Sequence, residues 1–238
     1  MSGLICVAGG KGAPGASTVA LALALASGPE RSVTLVDGDP DGGALAARLG
    51  VAATPGLVSL SAAARHGFRP ELIGLHTQHI RPGVEFIAGP PSAEQICSAL
   101  AGLGRPFAEA LAAIDAVADV GRWQLRSPAA GLVREAVAAV LVIQPSLVGV
   151  AHARSQVVDL QRICRRVEVA CVGDRPYGAD EVADALAVDH VTVVPCDRRG
   201  AALLGTEPVS GRWGNRAPLM RAMRALALDL ESRELVTP

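Results

Sequence analysis

Gly9-Gly10-Lys11-Gly12-Ala13-Pro14-Gly15-Ala16-Ser17-Thr18 follows the apolar run Leu4-Ile5-Cys6-Val7-Ala8 and leads into Val19-Ala20-Leu21-Ala22-Leu23-Ala24-Leu25-Ala26. A strand, a glycine loop, two hydroxyls and a helix in that order read as a phosphate-binding loop, because backbone N–H groups and a helix N-terminus converge there on one anion. An ordinary strand-to-helix turn is the competing reading of the glycines alone. Lys11 is the one lysine of this 238-residue chain. In the common G-x-x-x-x-G-K-[ST] loop a lysine stands directly before the hydroxyl and reaches the β- and γ-phosphates. Ala16 occupies that position here. The loop is kept and one of its charges is missing.

Composition bounds the rest. Half of the residues are hydrophobic and the formal net charge is −1, so a substantial core is affordable and no whole-molecule field attracts nucleic acid. Arginine supplies every other basic side chain, as a bias towards GC-rich codons would produce, which makes the surviving Lys11 more telling. Aromatic residues are only 3% of the chain, which argues against a single-strand binder that stacks bases. Cys6, Cys97, Cys164, Cys171 and Cys196 form no C-x-x-C pair, so neither a disulfide framework nor a zinc site is expected. No apolar run reaches the ~20 residues of a spanning helix, and the chain opens directly on a strand instead of a targeting segment. A cytoplasmic protein is expected.

Short apolar runs alternate with segments of helical period, the pattern of a parallel sheet covered on both faces. Strands are predicted at 4–8, 32–36, 76–80, 84–88, 113–118, 139–143, 167–172 and 190–194. Helices are predicted at 44–49, 57–65, 71–75, 107–112, 129–136, 179–186 and 218–230. Ser92-Ala93-Glu94-Gln95 has the form of a capping box before a helix ending near Leu100, and Ser146 caps a helix predicted to reach Arg165. No repeat, low-complexity stretch or long linker divides the chain. The expected fold is one α/β domain over 1–238, a doubly wound, mostly parallel sheet with helices on both faces.

Ligands of such sheets bind at the carboxyl ends of the strands. Those ends carry the glycine loop, Asp37 and Asp39, Asp119, Gln144-Pro145-Ser146, Asp174 and Asp197. A magnesium–nucleotide site needs this combination: Ser17 or Thr18 offers a hydroxyl to Mg²⁺, Asp119 holds a metal-bound water, and Asp37 or Asp39 orders an attacking water. Asp39 as a plain turn residue and Asp119 as a cap or turn residue remain alternative readings.

At these residues the chain resembles the ParA/MinD family of deviant Walker-motif ATPases, whose loop reads K-G-G-x-G-K-[ST] with an extra signature lysine at its start. Lys11 matches the signature lysine, Gly12 and Gly15 the glycines, and Ser17 and Thr18 the hydroxyls. Asp37-Gly38-Asp39-Pro40 matches the family's D-x-D-P switch I, Asp119-Val120-Gly121 resembles its switch II, and Val194-Pro195-Cys196-Asp197 its late I-P-x-D segment. The resemblance implies ATP and Mg²⁺ as cofactors, held by Gly10, Lys11, Gly12, Ala13, Pro14, Gly15, Ala16, Ser17 and Thr18, with Asp174 where an adenine-contacting asparagine commonly stands. It further implies Ser17, Asp37 and Asp119 around the metal, Asp39 positioning water, and Lys11 crossing a homodimer interface to the partner's phosphates. Three departures are Ala13 for a glycine, Ala16 for the phosphate-binding lysine and Ala44 where an asparagine often follows switch I. The pilus-associated TadZ/CpaE branch of the family also has atypical loops.

The implied function is an ATP-dependent dimer that positions or assembles a protein partner, with weak or absent hydrolysis. Two alternatives stand beside it: an adaptor on the same fold without turnover, and a small-molecule enzyme of the dethiobiotin-synthetase type. His66, His76, His79, His152 and His190 show no ligand spacing with one another. Arg162, Arg165 and Arg166 read as a helix C-terminus more readily than as a DNA patch. The acidic ending from Asp229 onward argues against direct anchoring to a membrane.

Overall fold

The computed structural model describes residues 3–12, 15–205 and 216–232. Eight strands form one sheet in the order β3-β4-β2-β5-β1-β6-β7-β8. They are β1 (Leu4–Gly9), β2 (Val33–Asp37), β3 (Gln78–Arg81), β4 (Val84–Ile87), β5 (Ala116–Arg122), β6 (Ala138–Ile143), β7 (Val167–Val172) and β8 (Val191–Val194). All neighbours are parallel except the edge pair β3–β4. Every residue of β1, β2 and β6 is buried. That is why these strands read as continuous apolar runs instead of alternating ones.

The period of two divides the core. Leu4, Cys6 and Ala8 of β1 join a cluster on one face of the sheet, with Ile96, Phe107, Leu111 and Leu160. Ile5 and Val7 join the opposite cluster, with Leu21, Leu23, Met223 and Leu226. Helices α1 (Ala16–Ala26) and α10 (Pro218–Ser232) supply that second face, while α5 (Ala93–Ala112), α6 (Ala130–Glu135), α7 (Leu147–Gln161) and α8 (Ala179–Leu186) cover the first. Four short helices, α2 (Leu45–Leu49), α3 (Leu57–Ala63), α4 (Glu71–Leu75) and α9 (Arg198–Leu203), lie in the connections. None of the described helices is long and apolar enough to cross a membrane.

Several boundaries differ from expectation for local reasons. The helices expected at 93–100 and 107–112 form one segment that bends at Gly104, whose φ of 56° and ψ of −152° are open to glycine, just before Pro106 removes a backbone donor. Strand β5 starts later than residue 113 because Ala113 still caps α5, its N–H bonded to Glu109 O. It runs on through Asp119 to Arg122. Helix α7 stops at Gln161, so Arg165 lies beyond its C-terminus.

Arg166 is not part of a basic surface patch. It donates through Nε to Glu168 at 2.7 Å, through Nη1 to the Leu230 carbonyl at 2.9 Å, and through Nη2 to Asp229 at 3.1 Å. One guanidinium thus satisfies a buried carboxylate of β7 and the last carbonyls of α10, where a cation suits the helix dipole. Breaking a buried pair from one side strands the other charge. Arg166→Met should cost about 3 kcal/mol in denaturant unfolding, and adding Glu168→Gln should recover part of it.

Candidate functional site

The glycine loop leaves the carboxyl end of β1, the middle of the sheet. Gly10 N–H bonds Val142 O at 2.7 Å, which fixes the entry, and Gly12 and Gly15 carry φ of 68° and 115°. Gly15 ends the loop at the N-terminus of α1 with no side-chain cap, so the first N–H groups of that helix remain open to an anion. Ala13 and Pro14 lie outside the described residues. Above the loop is a cavity of about 500 Å³ whose walls include Gly12, Gly15, Ala16, Ser17, Asp39 and Arg122. Ala16 faces it with a methyl group, and Lys11 is exposed at its edge without forming a wall.

Beneath this cavity two carboxylates lie side by side. Asp37 and Asp119 are register partners on the adjacent strands β2 and β5, and both are buried. Asp37 Oδ2 accepts Leu45 N–H at 2.8 Å, and Asp119 Oδ1 accepts Gly121 N–H at 3.1 Å. Among the described residues, Asp37 Oδ1 and Asp119 Oδ2 have no partner in hydrogen-bonding geometry, although the Ser17 hydroxyl stands beside Asp119. Burial raises Asp37 to about 7, helped by the charge of Asp119 and opposed by the Leu45 N–H. Burial also raises Asp119 to about 6, opposed by the adjacent Ser17 hydroxyl and the Gly121 N–H. Asp39 is raised as well, chiefly by desolvation, while the charge of Arg122 pulls it down. Its Oδ1 accepts Asp41 N–H at 2.9 Å, and the carboxylate rests on Gly121 so closely that a Cβ there would lie 1.9 Å from it.

Buried carboxylate oxygens beside a hydroxyl are the donor set of a hard divalent cation. Ser17, Asp37 and Asp119 lie close together, and their oxygen donors fit Mg²⁺ by chemistry. Thr18 is engaged elsewhere: its Oγ1 accepts Arg48 Nη1 at 2.7 Å, and Arg48 Nη2 donates to Ala201 O at 2.7 Å.

A second, mainly apolar cavity of about 410 Å³ adjoins the first through Gly15 and Gln144. Its walls include Val172, Pro195, Cys196, Arg198, Ala201 and Leu219. Asp174 is exposed in the loop after β7 and forms no part of these walls. The sequence signal that could have located this cavity is the placement of Val172 and Pro195 at adjacent strand ends. Asp197, grouped with the strand-end acids, is a helix cap: its carboxylate accepts Gly200 N–H at 2.8 Å and Leu219 N–H at 3.4 Å.

No protein-family model matches the sequence, and no curated protein is similar to it in sequence. Solved structures are similar in fold. A ParA-family ATPase from Chlorobium tepidum aligns over 95% of this chain and 98% of its own, with a TM-score of 0.77 at 19% identity. The septum site-determining protein MinD of Pyrococcus horikoshii, complexed with Mg-ADP, aligns over 98% of both chains with a TM-score of 0.76 at 20% identity. A chain of the MinC:MinD cell division protein complex of Aquifex aeolicus aligns over 97% of this chain and 96% of its own, with a TM-score of 0.71 at 14% identity. The fold is that of the ParA/MinD group of P-loop ATPases.

The acid pair predicts how stability depends on pH. Both folded pKa values lie above the ordinary carboxylate value of 3.8. The native state therefore binds more protons than the unfolded chain between about pH 4 and 7, and stability falls as pH rises through that window. The protein without nucleotide or Mg²⁺ should melt at lower temperature at pH 7.5 than at pH 5.5. Asp119→Asn should flatten that slope in a thermal-melt series.

Proposed function

We propose that this chain is a ParA/MinD-type nucleotide-binding protein that takes Mg-ATP on the glycine loop and works as a nucleotide-dependent dimer to position or assemble a protein partner. The observation that carries this reading is the pair of orphaned oxygens on Asp37 and Asp119 beneath an open helix N-terminus. Anion donors above and cation ligands below, in one cavity, call for a phosphate–metal ligand. The fold likeness to ParA and MinD ATPases, one with Mg-ADP and one with a protein partner, supports the same assignment.

In this reading Gly10, Gly12, Gly15 and the first turn of α1 cradle the phosphates through backbone N–H groups, and Ser17 with Asp119 and Asp37 holds Mg²⁺. The metal supplies charge neutralisation to the phosphate oxygens. The apolar second cavity takes the base, against Val172, Pro195 and Leu219. Asp39, braced on Gly121, orients the attacking water. Exposed Lys11 reaches out of its own cavity towards the nucleotide of a second copy, and the exposed Leu147 and Val148 at the start of α7 lie on the same edge of the sheet as the loop.

Ala16 also favours a second reading, an adaptor that binds nucleotide without turnover. Removing one preorganised donor from developing charge costs about 10²–10³ in rate. Hydrolysis should be slow or undetectable, and Ala16→Lys should raise it in a phosphate-release assay.

Calorimetry tests the binding. Mg-ATP should bind, and Asp119→Asn should erase the advantage of Mg-ATP over metal-free ATP. Absence of heat and of any thermal shift with millimolar nucleotide refutes the reading. Lys11→Ala should reduce the dimer fraction with a non-hydrolysable nucleotide, measured by sedimentation, more than it weakens binding to the monomer. An unchanged dimer fraction excludes Lys11 as the cross-subunit cation.

A further inference from the structure

The phosphate cavity is rich in acid and poor in base. Asp39 and Asp41 stand in its walls, Asp37 and Asp119 lie beneath it, and Ala16 brings no charge. Yet one guanidinium does line it. Among the described residues, Arg122 is the one basic side chain in those walls. We propose that Arg122 supplies in cis the phosphate-directed cation that Ala16 lacks, contacting the β- and γ-phosphate oxygens of the bound nucleotide. The inference rests on the nucleotide reading above and adds to it the identity of the compensating residue.

The backbone aims this side chain. Pairing between β1 and β5 runs Val7 to Asp119 and then Gly9 to Arg122, so β5 carries one residue more than β1 over that stretch. Gly121 sits in this bulge with φ of 62°. A bulge turns the following side chain and increases local twist, and bulges recur where a side chain must be re-aimed at a site. Trp123 N–H then bonds Gly9 O at 2.9 Å, which locks Arg122 opposite Gly9. A Cβ on Gly9 would lie 3.3 Å from the Ala16 methyl and 4.0 Å from Arg122 Cα. The missing lysine and the proposed substitute thus spring from two sides of the same glycine.

Among the described residues, the other nearby cations are otherwise placed. Arg48 is bonded to Thr18 and Ala201, Arg175 is exposed beyond β7, and Lys11 forms no wall of the cavity. Arg122 makes no side-chain hydrogen bond or ion pair to the described residues, although its charge reaches Asp39. A guanidinium suits this task because its planar donors match two phosphate oxygens at once.

The test is a binding series on the full chain with Mg-ATP, Mg-ADP and AMP as probes. Arg122→Ala should weaken Mg-ATP about 10–100-fold, as expected for a lost charged hydrogen bond, weaken Mg-ADP in the same direction, and leave AMP unchanged. Arg122→Lys should retain most of the affinity. Ala16→Lys added to Arg122→Ala should restore Mg-ATP binding, a rescue that a merely structural role for Arg122 would not give. The melting temperature without nucleotide should not move, because the side chain is exposed. Unchanged Mg-ATP affinity in Arg122→Ala, an equal loss for AMP, or failure of Ala16→Lys to rescue each overturns the inference and leaves the nucleotide reading standing. A wild-type protein that binds none of the three probes overturns both.

Discussion

Asp37 and Asp119 are set side by side by the sheet itself. Strands β2 and β5 are parallel neighbours in the middle of the sheet, and their register sets these two carboxylates side by side with almost no exposure. Two like charges at this depth repel, and the nearby donors, backbone N–H groups with the Ser17 hydroxyl beside Asp119, do not offset their burial. Proton uptake relieves the repulsion, and so does a cation. The fold therefore carries a local cost that a bound divalent ion would remove, the kind of cost protein folds tolerate at functional sites.

The chain around the pair is built to approach it closely. A Cβ on Gly89 would lie 2.3 Å from Asp37 O, one on Gly43 would lie 2.8 Å from Asp37 Oδ2, and one on Gly38 would lie 3.2 Å from Asp119 O. Glycines that look like turn punctuation in the sequence therefore let backbone close over the acid pair and exclude water from it. Gly121 serves the neighbouring carboxylate, since any side chain there would displace Asp39. Substituting Gly121 would also meet the positive φ of the bulge, so the position is constrained twice.

Much of this was readable in the sequence, for identifiable reasons. The central strands are buried on both faces, so each appears as an uninterrupted apolar run, and a parallel α/β sheet gathers its ligand groups at the strand ends. That reasoning pointed to Ser17, Asp37 and Asp119, which the structure places close together. It could not show the bulge that turns Arg122, because an extra residue in one strand leaves no mark on hydrophobic periodicity. Asp197 and the other strand-end acids look alike in sequence, yet Asp197 caps a helix while Asp39 lines the phosphate cavity. Glu168, Arg166 and Asp229 are distant in the chain, and their pairing depends on where α10 returns to β7. The walls of the second cavity are scattered from Gly15 to Leu219 for the same reason.

The retained loop and the missing lysine follow from how differently the two parts of an anion site depend on geometry. A nest of backbone N–H groups works only if successive residues adopt one set of torsions, and Gly12 and Gly15 stay in positive-φ conformations that few other residues accept. A point charge is less demanding. Coulomb attraction varies smoothly with distance, so a cation can reach the same phosphate oxygens from any neighbouring element with a long enough side chain. Loss of the loop lysine therefore does not dismantle the site, whereas loss of the loop conformation would. What a relocated charge changes is its mechanical coupling. A lysine on α1 would be fixed to the helix, but a cation after the bulge of β5 shares its backbone with Asp119 and its immediate surroundings with Asp39. In that arrangement, movement of the β5 end would alter phosphate contact, metal ligation and water positioning together.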